Sequence, residues 1–433
     1  MLPDGAPLSD WLSWLETCSP NEIELGLERV HAVLERLELD RPRHLLLVAG
    51  TNGKGSSVAM TQALLMASGV SVGAYTSPHI VHFNERIVVN GIAATDTQII
   101  AAFERVEVAR EDVPLTYFEY GTLAAMAVFA AAGVEVWVLE VGMGGRLDAT
   151  NVLDPTVAMI TNVSLDHCDW LGDDIESIAV EKAGVMREGM AVVFGAEDVP
   201  QAVLARAAAL GADLLVAGRD FSYSINDDGT WNWSRRTRSL QSLQPPGLSG
   251  AFQIGNAAAV LSMLDVGGFA AVVDVARINA VLPGLSLTGR AQRVSAHGVE
   301  WLFDVAHNPA AAAVLAEILE TSAVAGSTTA IIGILDDKDV PGVILPLRDQ
   351  VDRWIAVTAD SHRAVPANEL ARQIANLCER ACLVAESVSS AIEIAQRDAA
   401  ENDRILVTGS FFTVAPVLDQ LKSICKRDIW NEL

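Results

Sequence analysis

An apolar run, His44 to Ala49, breaks into Gly50-Thr51-Asn52-Gly53-Lys54-Gly55-Ser56, and a helical pattern, SSVAMTQALLMAS, follows at once. A strand that enters a helix through a glycine loop is the setting in which backbone groups hold phosphate. Glycines let successive N–H groups converge on phosphate oxygens, the helix N-terminus adds positive potential, and Lys54 supplies a mobile cation. Ser56 or Ser57 offers a hydroxyl nearby. The spacing is not the common G-x-x-x-x-G-K-[ST], because Val48 stands at the first glycine position and Gly55 follows the lysine. An ordinary strand-to-helix turn needs about one glycine. Three around one lysine point to phosphate.

Beyond this loop, short apolar runs alternate with alanine-rich helical segments, the pattern of a parallel sheet flanked by helices. The expected strands are His44 to Ala49, Val72 to Tyr75, Val134 to Leu139, Thr156 to Ile160 and Ala191 to Phe194. Asn90-Gly91 between β-rich flanks predicts a hairpin. Phe221 to Trp233 predicts a second, followed by a Pro/Gly-rich link from Pro245 to Gly250. Strands are expected again at Val299 to Phe303, Thr329 to Ile334, Trp354 to Val357, Ala381 to Val384 and Arg404 to Val407. A chain of 433 residues exceeds what one core supports, roughly 250 to 300 residues. Two α/β domains are expected, residues 1–286 and 287–433, with the boundary in the PGLSLTG segment from Pro283 to Gly289.

Apolar residues make up 51% of the chain, which raises the question of a membrane span. The richest stretch, Leu123 to Val141, is interrupted by Glu135 and Glu140, short of the ~20 uninterrupted apolar residues a spanning helix needs. It reads as a buried helix followed by a buried strand. The N-terminal stretch carries Asp4 and Asp10 and no basic cluster ahead of an apolar core, so it lacks the signal-peptide pattern and the protein is expected in the cytoplasm. Five scattered cysteines resemble neither a disulfide framework nor a zinc motif; Cys378 and Cys382 are expected to be buried thiols. A net charge of −25 opposes non-specific binding to nucleic acid or anionic membrane. Any anionic substrate must be held by local cations.

Glu140 ends the apolar run VEVWVLE, so a carboxylate emerges at the carboxyl end of a strand, the edge where doubly wound sheets bind ligands. The segment VGMGGRLDATN that follows packs three glycines, Arg146 and Asp148 into one loop. In LDHCDWLG, Asp166 and His167 come just after the strand-like MITNV, which favours a metal or phosphate role for the histidine. Lys182 lies in ESIAVEKAGVM, and on helical composition alone it reads as a solvated lysine.

Taken together, GTNGKGS (50–56), YTSPHIVHFNERI (75–87), LTYFEYGT (115–122), LEVGMGGRLDATN (139–151), LDHCDWLG (165–172), EKAGV (181–185) and DVAHNPA (304–310) resemble folylpolyglutamate synthase. They look most like its bacterial bifunctional dihydrofolate synthase/folylpolyglutamate synthase members, with the Mur ligases as wider relatives. The resemblance implies an α/β chain: an N-terminal P-loop-type ATPase domain with a parallel-rich sheet and a C-terminal Rossmann-like domain, with ATP and the acid bound between them. It implies magnesium, in two sites, with Ser77, Glu140 and His167 as ligands, donors that suit a phosphate-bound magnesium completed by water. Lys182 matches the family's carbamylated lysine. ATP contacts fall on Thr51, Asn52, Gly53, Lys54, Asn256, Arg290 and Asp304. Pterin contacts fall on Ile23, Glu24, Leu25 and Gly26, on Thr116, Tyr117, Phe118 and Glu119, and on Leu147, Asp148 and Ala149. Lys54, Lys182 and His167 are the expected catalytic residues. Ser56 and Met143 differ from the commoner family members without altering the chemistry.

The implied reaction passes a phosphoryl group from ATP to a dihydropteroate or reduced-folate carboxylate. The amine of L-glutamate then attacks the acyl phosphate, releasing ADP and phosphate. A monomer without nucleic-acid or membrane partners is expected. A Mur-type ligase acting on a UDP-sugar peptide is the nearest alternative, and LTYFEYGT and ERI speak against it. A phosphate-loop kinase or nucleotide switch, and a scaffold without turnover, are the others. His307 and Asn308 stand either near the substrates or, with Pro309, at a capped helix start.

Overall fold

The computed structural model describes residues 5–18, 24–166, 168–296 and 298–424. The chain divides into two compact units, Met1–Pro246 with Phe252–Leu285, and Gly247–Ala251 with Ser286–Leu433.

The first unit is built on an eight-stranded sheet. Its strands are β1 (His44–Ala49), β2 (Val72–Tyr75), β3 (Ile87–Val89), β4 (Ile92–Ala93), β5 (Val136–Glu140), β6 (Val157–Ile160), β7 (Ala191–Phe194) and β8 (Asp213–Val216), in the order β4-β3-β2-β5-β1-β6-β7-β8. β2, β5, β1, β6, β7 and β8 are parallel, and β3 and β4 form an antiparallel edge hairpin turned at Asn90-Gly91. Helices on both faces explain why β1, β5 and β6 are almost continuously apolar. After β1 the chain runs to β2 on one side, and after β5 it crosses to β6 on the other. The carboxyl ends of β1, β5 and β6 therefore border a topological switch point, where such sheets bind ligands. Leu123 to Val141 contains the end of the buried helix Tyr117–Ala131 and then β5, as read from the sequence. Among the described residues, no helix is long and apolar enough to cross a membrane.

A small antiparallel sheet joins this unit: β9 (Phe221–Ile225), β10 (Trp231–Arg235) and β11 (Arg238–Leu243), in the order β11-β10-β9. The predicted hairpin is thus three strands. β11, RSLQSL, is mostly exposed and lacks the apolar pattern that betrays a strand. Trp231 and Trp233 anchor the sheet, the indole of Trp233 donating to the Ala258 carbonyl and the Ser262 hydroxyl of helix Phe252–Val266.

The second unit holds β12 (Gln292–Ala296), β13 (Val299–Phe303), β14 (Thr328–Ile332), β15 (Arg353–Ala356), β16 (Cys382–Val384) and β17 (Arg404–Thr408), ordered β12-β13-β17-β14-β15-β16. All neighbours are parallel except β12, an edge strand paired antiparallel to β13. Leu302, Leu406, Ala330, Ile332 and Trp354 are buried in its core. Cys378 ends a helix and Cys382 opens β16, and both are half-buried rather than buried.

Candidate active site

The glycine loop links β1 to helix Lys54–Met66, and two of its glycines have no substitute. Gly50 has φ +137°, and a Cβ there would fall 1.8 Å from the Thr161 hydroxyl. Gly53 caps the helix in the left-handed region at φ +85°, and a Cβ would fall 2.8 Å from the Asn256 carboxamide. The loop is lashed to the segment that follows β6. Thr51 N–H donates to the Asn162 carbonyl at 3.1 Å, and Asn52 N–H to Asn162 Oδ1 at 3.1 Å. The Thr161 hydroxyl and the Asn162 amide both donate to the Asn52 carbonyl, at 2.7 and 2.9 Å. Thr161 and Asn162 escaped the sequence reading; two polar residues directly after a buried strand were the available signal.

Five of the expected ATP contacts, Thr51, Asn52, Gly53, Lys54 and Asn256, gather here. Lys54 folds back over the loop, its Nζ donating to the Gly50 and Thr51 carbonyls at 3.1 Å each. Asn256, on helix Phe252–Val266, donates to Gln253, whose amide donates to the Ser56 hydroxyl at 3.2 Å. A helix N-terminus, a backbone loop and a short-tethered lysine make a cradle for an anion.

Glu140 closes β5 with 4% of its surface exposed and accepts the Ser77 N–H at 3.1 Å. A Cβ at Gly55 would lie 3.6 Å from Glu140 Oε2, so the carboxylate faces the first turn of the loop helix. A serine hydroxyl and a buried carboxylate beside an anion cradle are hard oxygen donors, and they suit magnesium. His167, the third expected ligand, lies outside the described residues. Among the described residues no three His, Cys, Asp or Glu form a metal-holding group.

Lys182 is not a solvated helix lysine. Helix Ile175–Ala183 carries it inward to 4% exposure, and its Nζ donates to the Gly50 carbonyl at 3.0 Å. That oxygen also accepts Lys54, so two amines meet on one carbonyl. Burial, and next the charge of Lys54, push the Lys182 amine down to about 7, against the opposing pull of Asp166 and Asp148. Two glycines bring the helix this close. A Cβ at Gly145 would meet the Glu181 carbonyl at 2.9 Å, and one at Gly184 the Arg146 Cβ at 2.2 Å.

The expected pterin segments also converge, apart from Ile23, which lies outside the described residues. Gly26 N–H donates to the Leu147 carbonyl at 3.3 Å. Thr116 caps helix Tyr117–Ala131 in a capping box with Glu119. The half-buried Phe118 ring lies against Gly142, where a Cβ would fall 2.5 Å away. Asp148 is buried, accepting the Met143 and Thr150 N–H groups at 2.9 and 3.0 Å and the Thr150 hydroxyl at 2.6 Å; burial pushes its carboxyl up. Tyr117 and Leu147 are half-buried, and Ala149 is buried.

In the second unit, Arg290 lies over the Phe411 ring at 5.5 Å. The Asp304 carboxylate accepts the Ala291 and Ala306 N–H groups at 2.8 Å each; burial raises its pKa and the Arg290 charge opposes this. Asn308 caps helix Pro309–Thr321 by accepting the Ala311 N–H at 2.8 Å, so the capped helix start is observed.

Comparison with known proteins covers both units. Residues 48–264 match the Mur ligase middle domain, and residues 289–411 match the Mur ligase, glutamate ligase domain. The chain is 40% identical over 419 residues to the dihydrofolate synthase/folylpolyglutamate synthase of Escherichia coli K12, covering 96% of each. It is similar to the solved E. coli FolC in complex with DHPP and ADP, with a TM-score of 0.90 at 37% identity over 98% of this chain and 100% of that one. It is likewise similar to the Yersinia pestis bifunctional folylpolyglutamate synthase/dihydrofolate synthase complexed with AMPPNP and Mn ion. There the TM-score is 0.87 at 38% identity, over 97% and 100% of the two chains.

Proposed function

The chain belongs to the Mur ligase family, among the dihydrofolate synthase/folylpolyglutamate synthases, and from that premise we propose that it joins L-glutamate to dihydropteroate and to the glutamate tail of reduced folates at the expense of ATP. The observation that carries the reading is the convergence at Gly50. The anion cradle, Lys54 and the buried Lys182 meet there, and the Glu140 carboxylate faces the first turn of the same helix.

The loop N–H groups and Lys54 hold the ATP phosphates, and Asn256, Arg290 and Asp304 make further contacts to ATP. Pterin binding falls to the segments around Glu24–Gly26, Thr116–Glu119 and Leu147–Ala149. The γ-phosphoryl group passes to the acid's carboxylate, giving an acyl phosphate and ADP. The glutamate amine attacks the acyl carbon and loses a proton, phosphate leaves, and an amide remains. Preorganised cations supply most of the catalysis of such a transfer. Ser77, Glu140 and His167 would hold magnesium, in one of two sites, which when bound neutralises phosphate charge. Lys182 acts as a carbamate: its ammonium gives up one proton, and the neutral amine then adds carbon dioxide and releases a second, so that an anion replaces a cation. An amine pushed down to about 7 is substantially neutral near pH 7, which favours this step.

Mass spectrometry of the product formed from dihydropteroate, ATP and glutamate should show the acid extended by one glutamyl residue through an amide. Recovery of unchanged dihydropteroate, with ADP formed only on a UDP-sugar peptide, would instead mark a Mur-type acid substrate. Glu140→Ala and His167→Ala should each raise the magnesium concentration needed for half-maximal turnover by about tenfold or more, with partial rescue by excess magnesium. An unchanged magnesium titration in both would make these residues structural. The enzyme is taken as a cytoplasmic monomer, in keeping with its net charge of −25. Light scattering checks this by returning the mass of one chain, and a dimer mass would refute it.

A further inference from the structure

We propose that Arg29 is a positioning residue for the folate acid: its guanidinium clasps the Glu24–Gly26 segment to the Thr116–Glu119 segment and so sets the width of the acid's site. The proposal rests on the reading of those segments as pterin-binding. Arg29 Nη1 donates to the Glu24 carboxylate at 2.6 Å, and Nη2 donates to the Glu24 carbonyl and to Glu119 Oε1, each at 2.8 Å. Glu119 is only 3% exposed, and its other oxygen accepts the Thr116 N–H at 2.8 Å. Both oxygens are thus engaged within the protein. The part of Glu119 is to hold Thr116, and with it Phe118, in place.

The three segments are joined pairwise by different means. Gly26 bonds to Leu147 through the backbone, and Phe118 packs on Gly142 at the head of the loop that carries Leu147. Arg29 supplies the remaining link, across 90 positions of sequence. The clasp is not free of cost, because Arg29 Nε is buried with no hydrogen-bond acceptor among the described residues. A buried donor left without an acceptor lowers stability, so stability alone is a poor reason for arginine at this place. A planar fork that reaches two carboxylates at once requires one.

The test is steady-state kinetics of Arg29→Met, Arg29→Lys, Glu24→Gln and Phe118→Ala, with thermal melting of each. Arg29→Met should raise KM for dihydropteroate about tenfold while kcat and KM for ATP stay within about twofold. Arg29→Lys should recover part of the loss, since it keeps the charge without the fork. Should Arg29→Met fail to fold, Glu24→Gln decides, because it leaves the Arg29–Glu119 pair intact and must show the same split at smaller size. Parallel changes in kcat and both KM values, or no change in any, would overturn the clasp. Phe118→Ala separates the two ideas. If it too leaves KM for dihydropteroate unchanged, the pterin reading is wrong. If it raises that KM while Arg29→Met and Glu24→Gln do not, only the clasp is wrong.

Discussion

Lys54→Ala should lose at least about a hundredfold to a thousandfold in kcat, the scale of removing one preorganised charge from a transition state, while the far-ultraviolet circular dichroism stays that of the parent. The side chain folds back on its own loop, donating to the Gly50 and Thr51 carbonyls, and it is polar, so the core loses no apolar packing. Its removal also withdraws a positive charge from beside Lys182. Relief of that repulsion offsets the two lost hydrogen bonds. The melting temperature should accordingly move by no more than a few degrees, as for a substitution within about 1 kcal/mol. ADP release at the parent rate under saturating ATP would mean that the loop does not act on phosphate.

Lys182→Ala should be nearly inactive, for a different reason. An ammonium buried 3.0 Å from a carbonyl that Lys54 already uses is two like charges at close range, and at low effective dielectric such pairs repel strongly. Burial and Lys54 together push the amine down to about 7, so it is readily deprotonated and able to add carbon dioxide. The sign of the pH effect follows. Below about pH 7 the protonated amine cannot react, so activity recovered after carbon dioxide removal and re-addition should fall as pH drops through that value. A small carboxylate such as acetate or formate should restore part of the activity of Lys182→Ala by occupying the place of the carbamate. Full activity of Lys182→Ala in bicarbonate-free buffer would refute the assignment. So would a crystallographic map of an active preparation that shows a bare amine at Lys182.

The sequence disclosed the sheet strands whose burial is two-sided. His44–Ala49, Val72–Tyr75 and Ala191–Phe194 stand where their apolar runs placed them. Two strands without an apolar pattern were not legible. Arg238–Leu243 and Gln292–Ala296 are polar at most positions, and only pairing with a neighbour makes them strands. The glycine loop could be read because its chemistry is local: strand, glycines, lysine and helix follow one another directly. The burial of Lys182 could not, because it is tertiary. EKAGVM has the composition of a surface helix, and it turns inward only because Gly145 and Gly184 let loop and helix touch. Thr161, Asn162 and Arg29 were missed for the same reason, since each acts on residues roughly 90 or more positions away.

The central claim is that phosphoryl transfer to a folate acid is completed by glutamate. Its most direct test is ADP release measured with dihydropteroate or tetrahydrofolate, each with and without L-glutamate, at saturating ATP and magnesium. The account predicts sustained ADP release only when acid and glutamate are both present, with one amide formed per ADP. Sustained release that is indifferent to glutamate, or none with either acid, would contradict it.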